Sequence, residues 1–146
     1  MNSDGFEALR LDNQLCFPLY ACARAVTRRY KPHLDRIGLT YTQYITMLVL
    51  WEQRQATSKV LGERLYLDSG TLTPVLKKLE EKGLVRRARD AHDERNLMVT
   101  LTKRGEALRS AAAEIPGRMA DCLPLESDEA AALYGLLRKM LGSVEH

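Results

Sequence analysis

The spacing of apolar residues is the feature that most constrains how this chain folds. Near the N-terminus they recur every three or four positions, the period of an amphipathic helix, and Gly38 is a plausible stop. These apolar residues are Leu11, Leu15, Leu19, Cys22, Val26, Tyr30, Leu34 and Ile37. Over 84–101 two short runs flank the polar segment 90–95, a pattern typical of a β-hairpin. The sequence therefore predicts a mainly α-helical protein with a two-stranded β wing.

Further helices are predicted on both sides of the hairpin. Their predicted N-terminal residues are Thr40 or Thr42, Ser58, Asp68 or Ser69, Thr102 and Ser127. The helix that follows Asp68 is predicted to run to Lys82, and Gly83 suits the position after its end. Its inward side chains are predicted to be Leu72, Val75, Leu76 and Leu79. From Thr102 the helical period continues to Cys122, and Pro124 interrupts it.

Length and composition indicate one soluble domain, and charge indicates its partner. The chain has 146 residues, of which 45% are hydrophobic and 28% charged, so we treat 1–146 as a single domain. The sequence has neither the apolar length of a membrane span nor a signal peptide, so we expect a cytoplasmic protein with no membrane partner. Residues 54–104 hold 12 Lys and Arg against 7 Asp and Glu, which fits a nucleic-acid surface.

A helix, a turn, a second helix and a basic hairpin predict a winged helix-turn-helix that binds double-stranded DNA. The second helix would present small polar and basic side chains to the major groove. These candidates are Ser69, Gly70, Thr71, Thr73, Lys77 and Lys78. Arg95 could enter the minor groove from the hairpin, held extended by Asp93. The alternative is that the lysines form a solvated face and that Arg95 only solubilises the turn.

The segments 60–80, 83–85 and 93–95 resemble the MarR family of bacterial regulators, and 11–17 and 39–44 resemble its OhrR branch of organic hydroperoxide sensors. The resemblance covers about residues 10–140. It implies a homodimer whose dimerisation helices occupy about 10–38 and 102–145, with the winged motif at about 40–101. The long apolar stripes of the terminal helices independently favour dimerisation, although they could instead cover one monomer's core. A two-fold dimer would bind a pseudo-palindromic operator.

Cys16 is the candidate redox residue. Because proline is best tolerated in the first helical turn, Pro18 places Cys16 near a helix N-terminus, where the dipole favours a thiolate. The alternative is that Pro18 kinks a helix that begins at Asp12 or Asn13. Tyr20 follows one turn later and could donate a hydrogen bond to the sulfur. An accessible thiolate attacks peroxide and becomes sulfenic acid.

The resemblance assigns roles to further residues. It implies that Tyr30 and Tyr41 of the other subunit hydrogen-bond the Cys16 sulfur, and that Cys122 is the resolving thiol of an intersubunit disulfide. Whether Cys122 or Cys22 resolves the sulfenic acid is left open, although Cys22 fits an apolar packing role better. Phe17, Leu19 and Trp51 are candidates for the apolar surroundings that would favour an alkyl peroxide.

The leading hypothesis is therefore a repressor that releases DNA when an organic hydroperoxide oxidises Cys16. The alternatives are a MarR-like repressor relieved by a small aromatic ligand, a thiol peroxidase and a winged-helix protein-interaction module. No cysteine carries the Pro-x-x-x-Thr-x-x-Cys pattern of peroxiredoxins, so an enzyme is not expected. Neither a cofactor nor a metal is expected, because the cysteines and His33, His92 and His146 lack ligand spacing.

Overall fold

The computed structural model describes residues 5–89, 91–92 and 95–144, which belong to two compact units, Met1–Ala113 and Glu114–His146. In the first unit two short 3₁₀ turns precede the regular elements. The elements of this unit are α1 (Cys16–Asp35), α2 (Tyr41–Gln53), β1 (Gln55–Thr57), α3 (Ser58–Leu65), α4 (Ser69–Glu81), β2 (Val85–Arg89), β3 (Leu97–Leu101) and α5 (Lys103–Ala112). The second unit contains α6 (Ile115–Cys122) and α7 (Ser127–Val144).

Polar side chains fix where four of the helices begin. At α2, the Thr40 hydroxyl accepts from the Gln43 amide at 3.3 Å, and the Thr40 amide donates to Gln43 Oε1 at 3.1 Å, which completes a capping box. Thr57, Asp68 and Thr102 cap α3, α4 and α5 in the same way, each by accepting from an amide three residues later. The structure thus selects Thr40 and Asp68 from the predicted alternatives.

The predicted wing is present as an antiparallel hairpin, and the sheet also contains a third strand. β2 pairs with β3 with Arg87 opposite Val99, and β3 also pairs with β1, where Ala56 lies opposite Val99. The strand order is therefore β1-β3-β2. Since β1 has three residues, it is too short to show a period of two in the sequence.

The core of the first unit lies between α2, the helix-turn-helix and the sheet. Its most completely buried side chains are Leu34, Met47, Leu50, Leu61, Leu76, Leu79, Val85, Val99 and Thr46. Trp51 Nε1 donates to the Gly105 carbonyl at 2.8 Å, which holds α5 against α2. A Cβ atom at Gly105 would lie 2.2 Å from the Leu84 carbonyl oxygen, so only glycine permits this approach.

The structure decides between the two predicted starts of the first helix and corrects one later boundary. The first helix begins at Cys16, and 11–13 form a separate 3₁₀ turn. The helix predicted from Thr102 to Cys122 is divided into α5 and α6. Pro116 explains the break, because a proline ring clashes with the carbonyl four residues earlier, and α5 ends at Ala112. Within the described residues, no helix has the length and apolarity that crossing a membrane requires.

Candidate DNA-binding surface and thiol site

One face of α4 is buried and the opposite face is open to solvent. Leu72, Leu76 and Leu79 pack into the core, whereas Val75, also predicted to point inward, is half-buried. The residues of α4 that are predicted to contact DNA are all exposed. They are Ser69, Gly70, Thr71, Thr73, Lys77 and Lys78. The helix therefore offers an exposed surface that is mainly polar and carries two cations.

Hydrogen bonds order the N-terminal turn of α4. Asp68 Oδ1 accepts from the Thr71 amide at 2.7 Å, and this bond lowers the pKa of the Asp68 carboxyl. Thr73 Oγ1 donates to the Ser69 carbonyl at 2.7 Å. The starting point of α4, and so the direction of its exposed face, is set by these local contacts.

The two lysines of α4 have different surroundings. Lys78 Nζ lies 3.3 Å from Glu81 Oε2 in an exposed ion pair. Glu80 and Glu81, the acidic residues one turn after Lys77, pair instead with Arg87 and Lys78. Since a cation that is not in an ion pair attracts a phosphate more strongly, Lys77 is the better placed of the two for binding an anion.

A double contact joins α4 to the wing. Glu80 Oε2 accepts from the Arg87 amide at 2.9 Å, and Glu80 Oε1 accepts from Arg87 Nε and Nη2 at 3.2 and 3.1 Å. These donors hold the pKa of the Glu80 carboxyl below its usual value, the amide having the largest effect. The sequence does not reveal this pair, because the two residues lie on a helix and a strand with no shared period.

The wing carries more exposed cations than predicted. Arg95 is exposed, as are Arg86 and Arg89 on β2, which the sequence analysis did not select. Alternation along β2 could have identified Arg86, since its inward neighbours Val85 and Arg87 are better buried. Asp93 lies outside the described residues, so its ion pair with Arg95 stays a prediction.

Cys16 is the first residue of α1, and its side chain is exposed. Pro18 therefore lies in the first turn, which is the first of the two predicted alternatives. Cys22 is also exposed, so the expectation that it packs as a small apolar residue does not hold within one chain. Among the described residues of α1, Leu34 is the buried one.

Tyr20, one turn after Cys16, interacts with Arg24. The guanidinium carbon lies 5.5 Å from the ring centroid, and Arg24 Nη1 lies 3.4 Å from the phenol oxygen. The predicted hydrogen bond from Tyr20 to the Cys16 sulfur stays a prediction.

Tyr30 and Tyr41, predicted as a pair, lie together on α1 and α2 with ring centroids 5.0 Å apart. Tyr44 completes what we call the tyrosine cluster, at 5.8 Å from Tyr30 and 6.3 Å from Tyr41. Burial raises the pKa of all three phenols, so each hydroxyl keeps its proton at neutral pH and can donate. Tyr44 was missed, although its position three residues after Tyr41 is a usable signal.

Beside the cluster, α1, the start of α2 and the connection between them line an open cleft of about 560 Å³. Its wall combines apolar side chains with cations. The lining includes Tyr20, Arg24, Arg28, Leu34, Leu39 and Tyr41. The described residues contain no group of His, Cys, Asp and Glu that could hold a metal ion.

Comparison with known proteins identifies the family. The family described as Transcriptional regulator SarA/Rot matches residues 28–111, more than half of the chain. The organic hydroperoxide resistance transcriptional regulator of Bacillus subtilis (strain 168) is 45% identical over 139 residues, covering 92% of this chain and 95% of that protein. This chain is a MarR-like winged-helix transcriptional regulator of the SarA/Rot type.

Solved structures of one relative of this SarA/Rot-type regulator include a reduced, an overoxidized and a disulfide-formed state. Reduced AbfR bound to DNA is 38% identical, with a TM-score of 0.79 and coverage of 96% of this chain and 98% of that one. Disulfide-formed AbfR is 37% identical, with a TM-score of 0.68 and coverage of 96% of both chains. AbfR is a protein of Staphylococcus epidermidis. The chain is thus similar to a regulator that has been solved both reduced on DNA and with a disulfide.

Proposed function

We propose that this regulator is a homodimeric repressor that binds a pseudo-palindromic operator while Cys16 is reduced, and that releases the DNA once an organic hydroperoxide has oxidised Cys16. The observation that carries the proposal is the exposed position of Cys16 at the first residue of α1. There the sulfur is open to solvent, so a peroxide can approach it. The similarity to an organic hydroperoxide resistance regulator supports the choice of oxidant.

DNA binding is assigned to α4 and the wing. One α4 of each subunit would enter the major groove, with half-sites about 34–36 Å apart, while Arg95 would reach the minor groove. The exposed polar face of α4 and the contact between Glu80 and Arg87 support this arrangement, because they present helix and wing as one surface. AbfR, a relative of similar fold, has been solved on DNA.

The chemical step is oxidation of the sulfur by two electrons. The Cys16 thiolate attacks the terminal peroxide oxygen, the O–O bond breaks, and the alkoxide takes a proton to leave as an alcohol. Cys16 is then a sulfenic acid. Attack by the thiol of Cys122 from the partner subunit forms an S–S bond and releases water.

The tyrosine cluster is assigned to hydrogen bonding with the Cys16 sulfur of the partner subunit. Tyr30 lies 14 residues after Cys16 on the same helix, which corresponds to about 21 Å along the axis. A hydroxyl at that distance cannot reach the sulfur of its own chain. Tyr30 and Tyr41 are therefore proposed to hydrogen-bond Cys16 of a second copy, which makes the dimer the sensing unit.

Helix geometry also bears on the choice of resolving thiol. Cys16 and Cys22 are separated by six residues of one helix, about 9 Å of rise. Since a disulfide needs Cα atoms within about 7 Å, these two cannot pair within an intact α1. Cys122, exposed at the end of α6, is the proposed partner.

The test is operator binding by gel shift before and after cumene hydroperoxide, on wild type and Cys16→Ser. Wild type should bind when reduced and release DNA on oxidation, while Cys16→Ser should stay bound. Mass spectrometry of the treated protein should find Cys16 joined to Cys122 in a covalent dimer. Normal release by Cys16→Ser would contradict the sensing role.

The second candidate is a repressor relieved by a small aromatic ligand, and the cleft beside Tyr41 favours it. This candidate predicts release of DNA by phenolic compounds under full reduction, with Cys16→Ser responding like wild type. Such a result would mean that DNA release follows ligand binding in the cleft and not oxidation of Cys16.

A further inference from the structure

Lys82 occupies a junction that the proposed function does not use. It follows the last residue of α4. Its backbone amide donates to the carbonyl oxygens of Lys78 and Glu80 at the end of that helix. Its side chain leaves the winged motif and crosses to the connection between α1 and α2. The ammonium Nζ donates to the Gly38 carbonyl oxygen and, at 2.7 Å, to Gln43 Oε1.

Both acceptors define the start of α2. Gly38 has a φ of +70°, a conformation that favours glycine, and it turns the chain from α1 towards α2. Gln43 Oε1 also accepts from the Thr40 amide in the capping box. The helix that begins there opens with Tyr41, a member of the tyrosine cluster.

The charge of Lys82 makes these contacts strong. The residue is half-buried, and among the residues described it has no acidic partner, so its ammonium depends on two neutral oxygens. Hydrogen bonds from a charged donor are stronger than neutral ones. Moving either acceptor away would break a charged hydrogen bond at a half-buried residue, so the contact favours joint movement of α4 and the start of α2.

We infer that Lys82 is a positioning residue that couples the tyrosine cluster to the recognition helix α4. The inference rests on the proposed function, in which the partner's Cys16 lies at that cluster. Oxidation of that sulfur disturbs its hydrogen bonds to Tyr30 and Tyr41 and shifts the start of α2. Through Lys82 this displacement reaches the end of α4 and the first residues of the wing.

The test compares operator affinity of reduced and peroxide-oxidised dimer for wild type, Lys82→Met, Lys82→Arg and Lys103→Met. The measured quantity is the ratio of the two dissociation constants, with Cys16 oxidation followed separately by mass spectrometry. Lys82→Met keeps the aliphatic stem and loses the donor, while Lys103→Met makes the same charge change at an exposed position of the same basic segment.

We expect the ratio to fall about tenfold in Lys82→Met, within the usual range of coupling between sites. It should stay within about twofold of wild type in Lys82→Arg and Lys103→Met, and the rate of Cys16 oxidation should be unchanged in all of them. A wild-type ratio in Lys82→Met would overturn the inference. A merely structural lysine would weaken both dissociation constants equally and leave the ratio intact.

Gln43→Met provides the second route if Lys82→Met does not fold. It removes the acceptor shared by Lys82 and the Thr40 amide and keeps the cation. The same tenfold fall is expected, with an unchanged ratio again contradicting the coupling. Failure of the proposed function is distinguishable, because wild type itself would then show no difference between its reduced and oxidised affinities.

Discussion

Apolar side chains are buried in the winged motif but exposed in the N-terminal part of the chain. In the winged motif Leu61 and Leu76 are 0% and 1% exposed. At the start of α1, Leu15 and Phe17 are 80% and 43% exposed. The first region buries its apolar side chains, whereas the second exposes several large apolar side chains, a feature that can mark an interface. We attribute that surface to contact with a second copy.

The largest effect is expected in the closed core. Leu76→Ala should lower the free energy of unfolding by about 2–5 kcal/mol, because it leaves a cavity that its neighbours cannot fill. Urea denaturation followed by circular dichroism measures this loss, which should not depend on protein concentration. A loss below about 1 kcal/mol would mean that the motif is not packed as described.

The next effect concerns the contact between α5 and Leu84, the residue before β2. Gly105→Ala should destabilise the protein by about 1–3 kcal/mol, since the new methyl would meet the Leu84 carbonyl oxygen at 2.2 Å. Gly117→Ala is the matched control, because its Cβ meets nothing within 4 Å in a helix. The control should be neutral or stabilising by up to about 1 kcal/mol. Equal thermal shifts in the two variants would contradict the close approach.

A substitution at the start of α1 should change the dimer dissociation constant. Phe17→Ala should raise the dimer dissociation constant by at least about tenfold, because burial of a phenylalanine in an interface contributes more than the equivalent 1.4 kcal/mol. Sedimentation equilibrium measures this constant. Tyr66→Ala removes a ring of comparable exposure, 52% against 43%, from the turn between α3 and α4 and should leave the dissociation constant unchanged. If both variants dimerise like wild type, the exposed surface of α1 is not the interface.

The smallest effect is a pH dependence at the edge of the winged motif. The pKa of Glu80 is lowered by hydrogen bonds from Arg87, so this contact stabilises the fold above the ordinary value of 4.5 and is lost as the pH falls below it. Since the pair is partly exposed, the contribution is below about 1 kcal/mol. Glu80→Gln should therefore flatten the stability profile between pH 6 and about 3. An unchanged profile would assign the acid sensitivity to other carboxylates.

The sequence predicts features that depend on local signals but not contacts between distant segments. Period and capping residues locate α2, α3 and α4 because each signal is local: Thr40, Asp68 and Gly83 act within one turn of their own helix. The contacts of Lys82 and Glu80 were not predictable, since they join segments that only the tertiary fold brings together. β1 is too short for a pattern, and Pro116 was overlooked although its effect on α5 is local.

We propose that Tyr30 and Tyr41 of one subunit hydrogen-bond the Cys16 sulfur of the other subunit, and a mixed dimer tests this directly. One chain carries Cys16→Ser, and the other carries Tyr30→Phe with Tyr41→Phe, with two different tags to isolate the heterodimer. Pairing across the interface leaves one site intact, so the remaining Cys16 should form sulfenic acid at the wild-type rate. Oxidation as slow as in the homodimer of the tyrosine variant would contradict the account.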